Sequence, residues 1–247
     1  MNKRLGRVAC AVLVCVMAAA AAPVHAASDC PADIARADQL ILVLAESMDA
    51  RTANVRYYER GDGKDKAWRQ TAKTKPAMLG KSGLGWSWAH EALAAKDEPV
   101  KTEGDGRTPG GFFTVGGAFG SNAGSVPNYT TLSAGEHYCV DDPASPHYNT
   151  VTTKAKAGKG VSGEEMARIG LYRQGLFLNY PTNAGRKGGS CIFVHVWRAP
   201  NKPTVGCVAL AEADVKDMQR WSAKAATLMA ILPARAWEKL RGCLPDA

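Results

Sequence analysis

The sequence predicts a mainly β domain with a few short helices, and three observations predict it. Short apolar runs recur along the chain, either continuous or alternating with polar residues, which is the spacing of strands. Between them gather Gly, Pro, Asn and Asp; 25 glycines and 13 prolines in 247 residues are punctuation enough for many short elements. Helical spacing is confined to brief stretches, and neither an internal repeat nor a long linker interrupts the chain.

The first residues stand apart from this pattern. Lys3, Arg4 and Arg7 precede an apolar run from about Val8 to Ala22, followed by Val24-His25-Ala26. A charged, then apolar, then small-residue order is that of a secretory signal peptide, so residues 1–26 are expected to be removed. The apolar run is too short for a transmembrane helix, and no later stretch is long enough to span a bilayer. Residues 27–247 are then one domain, with the N-terminal strands of 38–80 part of it, working outside the inner membrane, in the periplasm. Losing the three positive charges of the leader takes the formal net charge from +8 to +5, a modestly basic balance that suits an anionic cell-wall or membrane neighbourhood. Nucleic acid is not expected as a partner, because the basic residues form no dense cluster. Oligomeric state is left open.

Beyond the leader the cysteines are Cys30, Cys139, Cys191, Cys207 and Cys243. An odd number in an oxidising compartment leaves at least one thiol free if the others pair within the chain. Cys30–Cys243 would tie the two ends, and Cys139–Cys191 would join two central stretches and leave Cys207 free. Four cysteines allow three connectivities, and buried free thiols are the plainer alternative.

In chain order, residues 38–46 form a continuous apolar run that fits a strand buried on both faces. Residues 52–59 read as its hairpin partner, and 61–66 as a turn. Residues 68–79 read as one further strand. A short helical pattern follows Trp86-Ser-Trp88 to about Ala95. Asp105-Gly106 and Pro109-Gly110-Gly111 bracket Arg107-Thr108 as tight turns, and Phe112 to Val115 resumes a strand. Residues 121–131 are a surface loop, and 139–149 a loop that serves either as a turn network or as a cleft wall. Ser162 and Glu165 have the spacing of a capping box, which predicts a helix to about Ile169. Leu176 to Tyr180 reads as a buried strand. Beyond Cys207, Val215, Met218 and Ser222 follow helical spacing, residues 227–232 read as a last strand, and a short helix carries Trp237 and Leu240.

The chemistry gathers in residues 189–210. Ile192, Val194 and Val196 alternate with Phe193, His195 and Trp197, a strand with His195 on its second face. The loop 199–203 reverses the chain, Gly206 permits a tight backbone, and Val208 to Leu210 resumes an extended run. A His on one strand and a Cys at the mouth of the next suits a thiolate nucleophile with an adjacent base. Metal binding is a poor alternative, since paired C-x-x-C spacing and a fourth ligand are missing. A serine hydrolase is poor as well, for want of G-x-S-x-G.

The pattern His195…Thr204-x-Gly206-Cys207 resembles the signature of the L,D-transpeptidase catalytic domain (YkuD-like) family of peptidoglycan cross-linking enzymes. Residues 103–113 (EGDGRTPGGFF), 140–149 (VDDPASPHYN) and 191–197 (CIFVHVW) are similar to further phrases of one branch of it. The resemblance implies an L,D-transpeptidase-like β-sandwich and a secreted cysteine acyltransferase that uses no cofactor and no metal. Its partners would be peptidoglycan stem peptides. Cys207 is the implied nucleophile and His195 the proton donor and acceptor, with the backbone at Gly206 and Cys207 as oxyanion hole. Thr204, Trp197, Arg198, Tyr148 and His147 are candidates for the substrate cleft. A neighbouring imidazolium would bring the thiol to roughly 3.5–7.5. Two positions depart from the common pattern: Val196 stands where many members have Gly, and Ala209 where many have Arg. A hydrolase of the same fold (L,D-carboxypeptidase, endopeptidase or cross-link-cleaving amidase) and a non-catalytic wall-binding module are the competing readings.

Overall fold

The computed structural model describes residues 30–61 and 67–246. The leader expected at 1–26 and most of the turn expected at 61–66 lie outside them.

Eight strands carry the architecture: β1 (Gln39–Ala45), β2 (Thr52–Arg60), β3 (Lys75–Met78), β4 (Thr108–Gly120), β5 (Gly175–Leu178), β6 (Phe193–Val196), β7 (Val208–Leu210) and β8 (Thr227–Pro233). Their lateral order is β1-β8-β4-β5-β6-β7-β3-β2, and β2 also pairs with β1, so the sheet closes on itself. The expected mainly β fold is observed, while the ladder describes a barrel-like closure instead of the two facing sheets of a sandwich. The cause is β2, long enough to pair with β1 along one edge and with β3 along the other. Closure leaves no bare edge among these eight strands, which removes a template for aggregation.

β1 is buried on both faces because it has two apolar neighbours to satisfy. Ile41, Val43 and Ala45 face the barrel core with Val55, Phe113, Val194 and Ile231. Leu40 and Leu42 face outward, where Phe112, Leu228, Trp237 and Leu240 cover them. Trp237 lies on the short C-terminal helix Ala234–Lys239, and the Cys30–Cys243 disulfide (S–S 2.06 Å) fastens that end beside β1. The helix Glu212–Ser222 sends Val215, Met218 and Trp221 into the barrel core, as its 3–4 residue spacing requires.

Two sequence expectations need correction. The single strand of 68–79 is two, Trp68–Gln70 and β3, with Thr71 to Thr74 between them. The capping-box helix of 162–169 does not form. Ser162 Oγ instead donates to Asp141 Oδ1 (2.5 Å), and Glu165 Oε1 accepts from the Gly135 N–H (2.9 Å). Both capping groups are thus taken by tertiary partners, and Gly163–Glu165 pairs as a strand with Tyr138–Val140 before a short 3-10 turn, Met166–Arg168. The Cys139–Cys191 disulfide ties this small side sheet to the chain just before β6. Among the described residues no helix is long and apolar enough to cross a membrane.

Candidate active site

β6 and β7 run parallel, with Val194 opposite Val208 and His195 opposite Ala209. Parallel neighbours need a crossover, and the connection 197–207 makes it without a helix. It is pinned midway: the Thr204 N–H donates to the Leu79 carbonyl and the Lys81 N–H to the Thr204 carbonyl, both at 2.8 Å. Thr204 Oγ1 donates to the Cys207 carbonyl (2.7 Å) and accepts from the Gly206 N–H (3.0 Å). Thr108 Oγ1, at the start of β4, also donates to the Cys207 carbonyl (3.1 Å). Gly206 has φ +152°, and a Cβ there would lie 3.1 Å from the Arg107 carbonyl oxygen, so the glycine lets two backbones pass at contact distance.

These bonds set Cys207 on the floor of a cavity of about 250 Å³. Cys207 is the free cysteine among the described residues, and Cys139–Cys191 forms the second disulfide (S–S 2.08 Å). The thiol donates to the Cys191 carbonyl, and the Phe193 N–H donates to its sulfur, both at 3.4 Å. Cys191 itself has φ 55°, a left-handed conformation that costs a non-glycine residue free energy. Its disulfide and the bond from its N–H to Asn149 Oδ1 (2.9 Å) hold it there.

His195 Nδ1 carries the proton, because it lies 2.8 Å from the Val196 carbonyl, which can only accept. Nε2 is therefore the basic nitrogen. Burial pushes the ring down to about 4. Burial, and next the Glu164 carboxylate, push the Cys207 thiol up to about 12. Both shifts oppose the expected thiolate–imidazolium pair. The physical reason is that both groups are desolvated, and among the described residues no hydrogen bond joins them.

Tyr172 lies against the histidine. Its ring meets the His195 ring edge-on at 5.4 Å, and its hydroxyl donates to Glu164 Oε2 at 2.6 Å. Burial raises the Glu164 carboxyl, and the Tyr172 bond opposes that rise. Sequence reasoning missed both residues. Glu164 was assigned to a helix that does not form, and Tyr172 sits in a 3-10 segment, Gly170–Arg173, with no periodic signal.

The five side chains expected in the cleft do not line this cavity. Thr204 ties the loop as described. Trp197 has left the end of β6, its N–H on the Leu210 carbonyl, and Arg198 is exposed in the reversing turn. The Tyr148 hydroxyl is buried below, donating to Glu103 Oε2 (2.5 Å) and accepting from the Gly189 N–H (2.9 Å). His147 spends its backbone in the same turn network, its N–H on Ser145 Oγ and its carbonyl accepting from Thr150 Oγ1. The lining is instead charged, with Lys81 and Lys101 as well as Glu103, Asp141 and Glu164. Lys101 is 3 % exposed and neutralised by Asp105 at 2.6 Å. Of the expected oxyanion donors, the Gly206 N–H is taken by Thr204, as above. Among the described residues no cluster of His, Cys, Asp and Glu is arranged to hold a metal ion.

The free Cys207 thus stands at the start of β7, next to a strand that carries the buried His195. A family model for the L,D-transpeptidase catalytic domain (YkuD) matches residues 48–231, and the chain belongs to that family. Among solved structures it is similar to the helical cell shape determining protein Pgp2 from Campylobacter jejuni, at 16 % identity and a TM-score of 0.39, over 78 % of this chain and 47 % of that one. A point mutant of Pgp2 matches with the same coverage and a TM-score of 0.38. The chain thus spans about half the length of these structural neighbours. No curated protein matches it.

Proposed function

We propose that the chain is an exported L,D-transpeptidase that acts on peptidoglycan stem peptides through a thioester on Cys207. One observation carries the reading: within the family-matched segment, the free thiol forms the floor of a cavity whose walls bear charges of both signs. Leader removal at 1–26, a single domain over 27–247 and a periplasmic site of action belong to the same proposal. The two disulfides support an oxidising compartment.

The chemistry runs in two halves. The Cys207 proton passes to His195 Nε2 as sulfur attacks a stem-peptide carbonyl. The Cys207 N–H is the oxyanion donor, the Gly206 N–H being engaged. The carbon–nitrogen bond breaks, and the leaving amine takes the proton back from His195. An acceptor amine then attacks the thioester, gives its proton to His195 and restores the thiol. Because the thiol at rest donates to the Cys191 carbonyl, its side chain has to turn before the first transfer.

Incubation of the full chain with purified muropeptides, followed by mass analysis, tests this. Cross-linked dimers or exchanged terminal D-amino acids are expected, and neither from Cys207→Ala. Loss of a terminal residue alone would convert the assignment to hydrolysis. Turnover that survives in Cys207→Ala would overturn it.

A further inference from the structure

Most of the charge that lines the Cys207 cavity is already committed within the fold. Lys101 is buried, its Nζ donating to Asp105 Oδ1 (2.6 Å) and to the Thr102 carbonyl (2.7 Å). Glu103 Oε2 accepts from the Tyr148 hydroxyl (2.5 Å) and from Ser190 Oγ (2.6 Å), and its Oε1 accepts from the Gly104 N–H (3.2 Å). Asp141 and Glu164 each hold one hydroxyl, of Ser162 and of Tyr172. Lys81 differs from all of these. It is exposed, and among the described residues its ammonium forms neither an ion pair nor a hydrogen bond.

Its place is fixed all the same. The Lys81 N–H donates to the Thr204 carbonyl (2.8 Å), and the N–H groups on either side are tied as well, Gly80 to Thr108 Oγ1 (2.8 Å) and Ser82 to the Gly106 carbonyl (3.0 Å). Thr204 and Thr108 are the two residues whose hydroxyls hold the Cys207 carbonyl, so the lysine and the thiol hang from the same pair of threonines. The lysine stem then crosses Gly106, where a Cβ would lie 2.7 Å from Lys81 Cε and 2.9 Å from Cγ. With φ at +70°, that glycine serves the turn and the passage together. An uncommitted cation is thus held in register with the thiol.

We propose that Lys81 is a specificity-determining residue that binds the free terminal carboxylate of the substrate, that of the residue expelled when Cys207 attacks the carbonyl before it. This rests on Cys207 being the nucleophile. A terminal carboxylate stands one residue beyond the attacked carbonyl, roughly 3.3–3.6 Å along an extended chain. The two groups therefore enter a cavity of about 250 Å³ together. A carboxylate arriving there meets Glu103, Asp141 and Glu164, all of its own sign, and Lys81 is the lining cation left to offset them. A peptide carried on through an amide at that point brings an uncharged group to the lysine and loses the contact. The bond opened by Cys207 is accordingly the last one of its peptide, and a chain end already joined in a cross-link is a poor donor.

Isothermal titration calorimetry on full-chain Cys207→Ala, which cannot form the thioester, tests this. Two synthetic stem tetrapeptides are compared, identical except for a terminal carboxylate or carboxamide. The acid should bind roughly 10-fold more tightly, the low end for a hydrogen bond to an ionised group because the ammonium is exposed. Adding Lys81→Met keeps the aliphatic stem over Gly106 and removes the charge. It should weaken the acid by about 10-fold and leave the amide unchanged. Equal affinities in Cys207→Ala, no binding of either peptide, a preference that survives Lys81→Met, or an equal loss of both peptides overturns the proposal. Muropeptide turnover by the unsubstituted chain is scored separately. If it is absent, or persists in Cys207→Ala, the functional reading fails, whereas the calorimetric difference still reports on Lys81.

Discussion

Replacing Cys139 and Cys191 together by alanine should cost both stability and the geometry around the Cys207 thiol. The bridge closes a loop of sequence separation 52. Loop-closure entropy for that length gives about 4 kcal/mol, and native-state relaxation places the measured figure in the range of ~2–4 kcal/mol. The loss should not be purely global. Cys191 is held at φ 55° and presents its carbonyl to the Cys207 thiol. Without the bridge only the bond to Asn149 holds that conformation, so residue 191 relaxes toward the extended region and the carbonyl moves away. Urea denaturation followed by tryptophan fluorescence measures the first effect. Alkylation of Cys207 well below the unfolding transition measures the second, and should be faster than in the wild type. An unchanged urea midpoint would refute the reasoning about the bridge. A lower midpoint with unchanged alkylation would refute the link from Cys191 to the thiol.

Two further outcomes follow from the site. His195 is held down to about 4 in the folded chain against an ordinary value of 6.5. A depressed folded value means that the unfolded state binds the proton first as pH falls, so stability present above about pH 6.5 is lost toward pH 4, by about 3 kcal/mol in all. Thermal melts at pH 7 and pH 4.5 should show the loss, and His195→Gln should remove that part of it; an equal drop in the variant would assign it elsewhere. Gly175 lies opposite His195 in the ladder, where an added Cβ would fall 2.4 Å from Phe119 Cζ and 2.7 Å from the Val194 carbonyl oxygen. Gly175→Ala should therefore destabilise by roughly 1–3 kcal/mol through overpacking, read as the denaturant midpoint, and an unshifted midpoint would mean that β5 and β6 yield freely.

What could be read from the sequence follows the range of the forces involved. β1 announced itself because a strand with apolar neighbours on both faces needs a continuous apolar run. The helix Glu212–Ser222 did so because its buried stripe repeats every three or four residues. The tight passage at Gly206 and the unpaired Cys207 were legible because the glycine and the odd cysteine are adjacent in the chain. The failures are all tertiary. Ser162 and Glu165 have the right spacing for a cap, but Asp141 and the Gly135 N–H hold them. Tyr148 had the look of a cleft aromatic and is a buried strut beneath Glu103. Glu164 and Tyr172 meet from separate segments, and no local pattern in either marks that contact.

The closure of the barrel also fixes the order in which it can be made. β1 forms its hairpin with β2 at once, because the two are neighbours in sequence. Its other edge waits for β8, whose parallel register runs from Gln39 with Thr227 to Ala45 with Pro233. Until nearly the whole chain has been synthesised, an apolar strand stands half paired. Contacts so distant in sequence form late and slowly, and an unpaired apolar edge is a site of misassociation in the interval. Folding yield should therefore depend on what shields β1 during that wait.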